Sequence, residues 1–96
     1  MRIDYSNQSI DDLSEIGEYI AEENKSIAIH YLIKLKSKIE LLIHFPFIGV
    51  ECHSKGIYED CRVMIFESYL IFYSITNESI RIHRILHHTV NYKGKI

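Results

Sequence analysis

Ninety-six residues suffice for one hydrophobic core and not for two, so the chain is expected to form a single domain over 1–96. With 47% apolar and 25% charged residues, it lies inside the range of folded proteins and outside that of disordered ones. The net charge of −2 argues against strong nonspecific binding to nucleic acid.

The charge is unevenly spread. Residues 1–24 carry seven acids against Arg2 alone, whereas residues 79–96 carry Arg81, Arg84, Lys93 and Lys95 with no acid, plus His83, His87 and His88. A basic, histidine-rich end on an acidic chain points to an anionic or acidic partner there. The opening residues show no basic-then-apolar leader, and the longest apolar runs, Leu41–Val50 and Tyr69–Ile75, are too short to span a bilayer. A cytoplasmic protein is therefore expected. Cys52 and Cys61, a lone pair in a leaderless chain, are expected to be reduced thiols. A metal site would have to recruit His53, His87 or His88, but no C-x-x-C or H-x-x-x-H spacing exists, so neither metal nor cofactor is expected.

Along the chain, Arg2–Ser6 alternates like a short strand. Ser9 is a good N-cap for a first helix. Ile10, Leu13, Ile16 and Ile20 share one face of that helix, and Asp12, Glu15 and Glu22 lie away from it. Glu22–Asn24 closes this helix and Ser26 can cap a second, whose stripe is Ala28, Leu32, Leu35, Ile39 and Leu42, with Pro46 as the stop. The short loop between the helices makes them an antiparallel hairpin. Beyond Gly49 the period changes. Cys61–Phe66, Tyr69–Ile75 and Ser79–Leu86 read as strands, with turns at Glu67-Ser68 and Thr76–Glu78. Residues 50–60 have no clear period and leave room for one more short strand. The order β-α-α-β-β-β gives an α+β fold, a helical hairpin packed on a mainly antiparallel sheet.

Five pieces of this pattern resemble the RelE/ParE toxin superfamily over essentially the full length, and its ParE branch most. Asp12-Leu13-x-x-Ile16-x-x-Tyr19-Ile20 followed by Glu22-Glu23-Asn24 looks like the ParE helix opening. Phe45-Pro46-Phe47-Ile48-Gly49 resembles the family's helix-ending turn, and Arg62-Val63 with Tyr69–Tyr73 its central hairpin. Ile82–His87 resembles the last strand, and His87-x-x-x-Asn91 a ParE-like ending.

The resemblance implies the toxin of a type II toxin–antitoxin system, inhibiting DNA gyrase and neutralised by a cognate antitoxin. The alternatives within the superfamily are a ribosome-dependent mRNA endoribonuclease and an inactive homologue that only binds antitoxin. A ribonuclease needs fixed cations for the phosphorane and groups that move protons. In the penultimate strand, where RelE-like enzymes carry an arginine, this chain has Leu70, which weakens the nuclease reading. Its remaining candidates would be Arg62, Arg84, His87, His88 and Tyr92. For a target-binding surface the resemblance and the charge favour His87, His88, Asn91, Tyr92 and Lys93. The antitoxin is expected to cover apolar side chains left exposed on the first helix, Ile10 and Leu13, or on the sheet. Strict alternation along the last strand would put Arg84 on the buried side with Ile82 and Leu86.

Overall fold

A computed structural model describes residues 1–52 and 60–91. Five strands, β1 (Arg2–Tyr5), β2 (Val50–Glu51), β3 (Cys61–Phe66), β4 (Tyr69–Ile75) and β5 (Ser79–His87), form one sheet in the order β1-β5-β4-β3-β2. Among the described residues only the β1–β5 pairing is parallel. Two helices, α1 (Asn7–Ala21) and α2 (Lys25–Glu40), cross between β1 and β2, and a 3-10 turn at Leu41–Ile43 follows α2. This is the expected α+β arrangement, with β2 as the additional short strand.

Alternation along the strands gives the sheet two apolar faces. On the helix side, Leu13 and Ile16 of α1 and Leu35 and Ile39 of α2 pack on Met64, Ile71, Tyr73, Ile80, Ile82 and Ile85. On the other side, Cys52, Cys61, Val63, Phe72 and Leu86 form a smaller cluster that Leu70 and Val90 join. β4 feeds both, as a central strand must.

The two helix starts differ from the sequence expectation. Ser6, not Ser9, caps α1: its Oγ accepts from the Ser9 amide at 3.0 Å and donates to the His83 carbonyl at 2.7 Å. Asn24, not Ser26, caps α2, its Oδ1 accepting from the Ile27 amide at 3.0 Å. In both cases the residue leaving extended backbone wins the cap over the serine further in. The Glu67-Ser68 turn holds Glu67 at φ 52°, in the left-handed region.

Candidate functional site

β5 is longer than its neighbour β1, which pairs only with Ser79–Ile82. Past Ile82 the β5 edge would be bare, and the start of α1 closes it. The Ser6 amide donates to the Ile82 carbonyl at 3.0 Å, Ser6 Oγ donates to the His83 carbonyl, and the Ile85 amide donates to Asp12 Oδ2 at 2.9 Å. Asp12 was expected to face solvent and is instead 5% exposed. A helix-wheel argument cannot see that a strand edge nearby needs an acceptor.

The same carboxylate holds Arg84. Arg84 Nε and Nη2 donate to Asp12 Oδ2 and Oδ1, both at 2.8 Å, a bidentate pair. The hydrogen bonding to Asp12 holds the Arg84 pKa above its ordinary value, against a smaller opposing effect of burial. Strict alternation grouped Arg84 with both Ile82 and Leu86, but those two lie on opposite faces and Arg84 shares only that of Leu86. Tyr73 pairs with Ile82 but Phe72 with Arg84, so His83 is an extra residue and the phase of β5 flips at this bulge. Ile85 then takes the helix side, and Arg84 is freed to reach round the edge to α1.

Arg62, the other arginine of the nuclease alternative, is equally engaged. Its Nη1 donates to the Gly49 carbonyl at 2.7 Å and the Phe47 carbonyl at 3.4 Å, and its Nη2 to Glu51 Oε1 at 3.2 Å. Its guanidinium also lies 4.9 Å from the Phe47 ring centroid. Tyr73 completes this anchorage, accepting from the Gly49 amide at 2.9 Å and donating to the Pro46 carbonyl at 2.7 Å. Burial pushes the Tyr73 phenol up, with the Gly49 hydrogen bond opposing.

His87 ends β5 opposite Tyr69, their rings edge-to-face with centroids 5.5 Å apart. His88 stacks on His87 at 4.6 Å, and His87 Nδ1 lies 2.8 Å from Thr89 Oγ1. His87 is half-buried, while His88 and Asn91 are exposed. Beside them a cleft of about 240 Å³ opens between α1 and the strand ends, with Glu15 and Tyr19 on one wall and Tyr69, His87 and Val90 on the other. Tyr92 and Lys93 lie outside the described residues, as does His53.

Arg84 and His87 both line the cleft beside α1, but Arg62 stands apart from them. Arg62 pairs with Tyr73 and His87 with Tyr69, so they are four residues apart along β4 and on strands either side of it. At the usual rise and strand spacing that separation is on the order of 15 Å, too far for both to serve one phosphate. Leu70 sits between Ile65 and Leu86 and packs into the apolar cluster behind the sheet. Among the described residues no group of His, Cys, Asp or Glu is placed to hold a metal ion, and no helix is long and apolar enough to cross a membrane.

Of the two residues expected to await an antitoxin, Ile10 is 50% exposed, but Leu13 is only 8% exposed and belongs to the core. Leu13 lies one turn further along α1, where the helix bears on the sheet. Exposed apolar residues also occur on the sheet, as expected, and in the segment before β2, where none was expected. Phe45, Phe47, Ile48 and Val50 line the segment before and into β2, Ile65 projects from β3, and Tyr19 rises from α1. A Phe-Pro-Phe-Ile run directly after a helix stop was the available signal.

No curated protein matches this chain. Among solved structures, a chain described as the chromosomal ParDE TA system from P. aeruginosa shares its fold, with a TM-score of 0.69 and 15% identity over 91% of this chain and 95% of that one. A family model, the ParE toxin of the type II toxin–antitoxin system parDE, matches residues 3–92. With nearly the whole chain matched, this protein belongs to the ParE toxin family of type II toxin–antitoxin systems.

Proposed function

We propose that this toxin acts in the cytoplasm by inhibiting DNA gyrase, as one domain over 1–96, and that a cognate antitoxin neutralises it. The observation that carries the reading is the engagement of the two arginines: Arg84 is held by Asp12, and Arg62 by the Gly49 and Phe47 carbonyls and Glu51. A nuclease would need such cations aimed at a phosphorane, and Leu70 supplies none. Inhibition by binding needs a surface rather than an assembled set of proton donors and acceptors. The polar end of β5 offers one, with His87, His88 and Asn91 and, beyond them in sequence, Tyr92 and Lys93. The antitoxin reading is supported by family membership, by the ParDE likeness and by the exposed Ile10.

Two assays on the purified chain separate the readings. Gyrase supercoiling should be inhibited, with cleaved DNA complexes accumulating, and mRNA on translating ribosomes should stay intact. Ribosome-dependent cleavage that disappears in His87→Ala or His88→Ala would overturn the proposal in favour of a nuclease. Antitoxin binding without either activity would leave only an inactive homologue. Deleting 92–96 should abolish toxicity and preserve antitoxin binding; undiminished toxicity would exclude Tyr92 and Lys93 from the target surface.

A further inference from the structure

Cys52 and Cys61 lie on the face of the sheet away from the helices, in a cluster with Val63, Phe72 and Leu86. Both are thiols and both are buried. Pairing of Val50 with Val63 and Glu51 with Arg62 carries Cys52 to a position opposite Cys61, and the Cys52 amide donates to the Cys61 carbonyl at 2.7 Å. Residues opposed in this way have Cα atoms about 5.5 Å apart, which is the commonest separation across a disulfide. The side chains point the same way, and the Cys61 thiol donates to Cys52 Sγ at 2.9 Å. Backbone register, side-chain direction and sulfur contact therefore all match what a disulfide requires.

We propose that Cys52 and Cys61 form a modification site, an intramolecular disulfide made by exchange with a low-molecular-weight disulfide such as oxidised glutathione. One cysteine thiolate attacks a glutathione sulfur, the S–S bond of the oxidant breaks, and a glutathione thiolate leaves. The second cysteine thiolate then attacks the protein sulfur of the mixed disulfide and expels the second glutathione thiolate. The two thiol protons end on the two glutathiones, so the protein dithiol is oxidised by two electrons and the glutathione disulfide reduced by two.

The burial that brings the sulfurs together also slows this exchange. Burial first, and the Cys52 contact second, push the Cys61 thiol well up, so the attacking thiolate is scarce while the site is closed. The reaction accordingly runs through opening of β2, a two-residue edge strand. The bond is slow to form and slow to be lost, and its equilibrium is set by the folded geometry.

The test is equilibration of the full-length chain in glutathione redox mixtures, from both reduced and oxidised protein, with acid quenching and mass spectrometry. The parallel arm uses the same chain unfolded in urea. Constraining a loop of roughly ten residues should favour the native disulfide about 100-fold over the unfolded one. The ratio [GSH]²/[GSSG] at half-oxidation should therefore be higher by that factor in the folded chain, with the product lacking two hydrogens. Cys52→Ser should abolish that product. A ratio equal to or below that of the unfolded chain, or products dominated by glutathione adducts or intermolecular dimers, would overturn the proposal.

Discussion

Replacing Asp12 with alanine removes the acceptor of three hydrogen bonds, two from Arg84 and one from the Ile85 amide. The amide lies in a buried stretch of β5 on the side that β1 does not reach, so β1 offers no replacement for the lost partner. An orphaned buried N–H costs about 1–3 kcal/mol. Breaking a buried ion pair costs about 3–5 kcal/mol, and the lower end applies here because the Arg84 side chain is still 19% exposed. The bonds share one carboxylate, so the two costs overlap, and a total of about 4 kcal/mol is expected. With a urea slope of about 1.2 kcal/mol/M for a domain this small, the unfolding midpoint should fall by roughly 3 M. Asp12→Asn should lose about half as much, because its amide oxygen can still receive the Ile85 N–H. In a double-mutant cycle with Arg84→Ala the coupling should be about 2 kcal/mol. A destabilisation below about 1 kcal/mol for Asp12→Ala would refute the idea that this carboxylate seals the β5 edge.

The Pro46–Gly49 anchorage is open to a gentler test. Tyr73→Phe keeps the ring and strands the Gly49 amide, so urea denaturation should show a loss of about 1–3 kcal/mol. Two glycines should respond with different signs. A Cβ on Gly49 would come within 2.6 Å of the Tyr73 hydroxyl and 2.9 Å of the Val63 carbonyl, so Gly49→Ala should destabilise by about 1–3 kcal/mol. At Gly17 the nearest atom is the end of the Leu32 side chain at 2.9 Å, which can turn aside. The helical preference for alanine, roughly 1 kcal/mol, then makes Gly17→Ala neutral or stabilising in thermal melts. Stability should also fall at high pH. Burial, then the charge of Glu67, pushes the Tyr31 phenol up to about 12, and Tyr5, Tyr69 and Tyr73 are raised as well. Between about pH 10 and pH 12 the unfolded chain has lost protons that the native chain keeps, so stability is full below pH 10 and declines as pH rises. Tyr31→Phe should flatten that decline, as followed by chemical denaturation across the interval.

Local pattern made the two hairpin strands legible: β3 and β4 have the boundaries that their β-branched and aromatic runs predict, and β5 runs one residue further. What escaped the sequence depends on partners far along the chain. Ser6 and Ser9 are both competent caps, and the decision for Ser6 is reinforced by the His83 carbonyl, 77 positions away. Asp12 looks like any acid on the wet side of an amphipathic helix until the β5 edge is set beside it. The bulge at His83 is hidden in the hydrophobic pattern because Ile85 and Leu86 are both apolar, so either phase puts an apolar side chain on the helix side. Leu13 shared a periodic stripe with Ile10, yet the two part company because the stripe is wider than the part of α1 that meets the sheet.

The same long-range bonds define what the two arginines do in this fold. An arginine stabilises a transition state only if its charge is aimed at open space where that charge develops. A one-residue bulge takes Arg84 off the face that Ile82 occupies, and at the sheet edge it is fixed by a carboxylate on α1 that also completes the sheet. Arg62 is turned toward the loop before β2 and holds two of its carbonyls. Releasing either would cost the fold an anchorage as well as an ion pair. The histidines at the end of β5 carry no such structural duty among the bonds described, since His87 meets Tyr69 and Thr89 at the rim and His88 only lies against His87 and turns its amide to the Ser68 carbonyl. Substituting His88 should therefore change stability by less than about 0.5 kcal/mol, the ordinary range for a surface position. A loss of gyrase inhibition in folded His88→Ala would then report on target contact, whereas the same loss in Arg84→Ala would first have to be separated from unfolding.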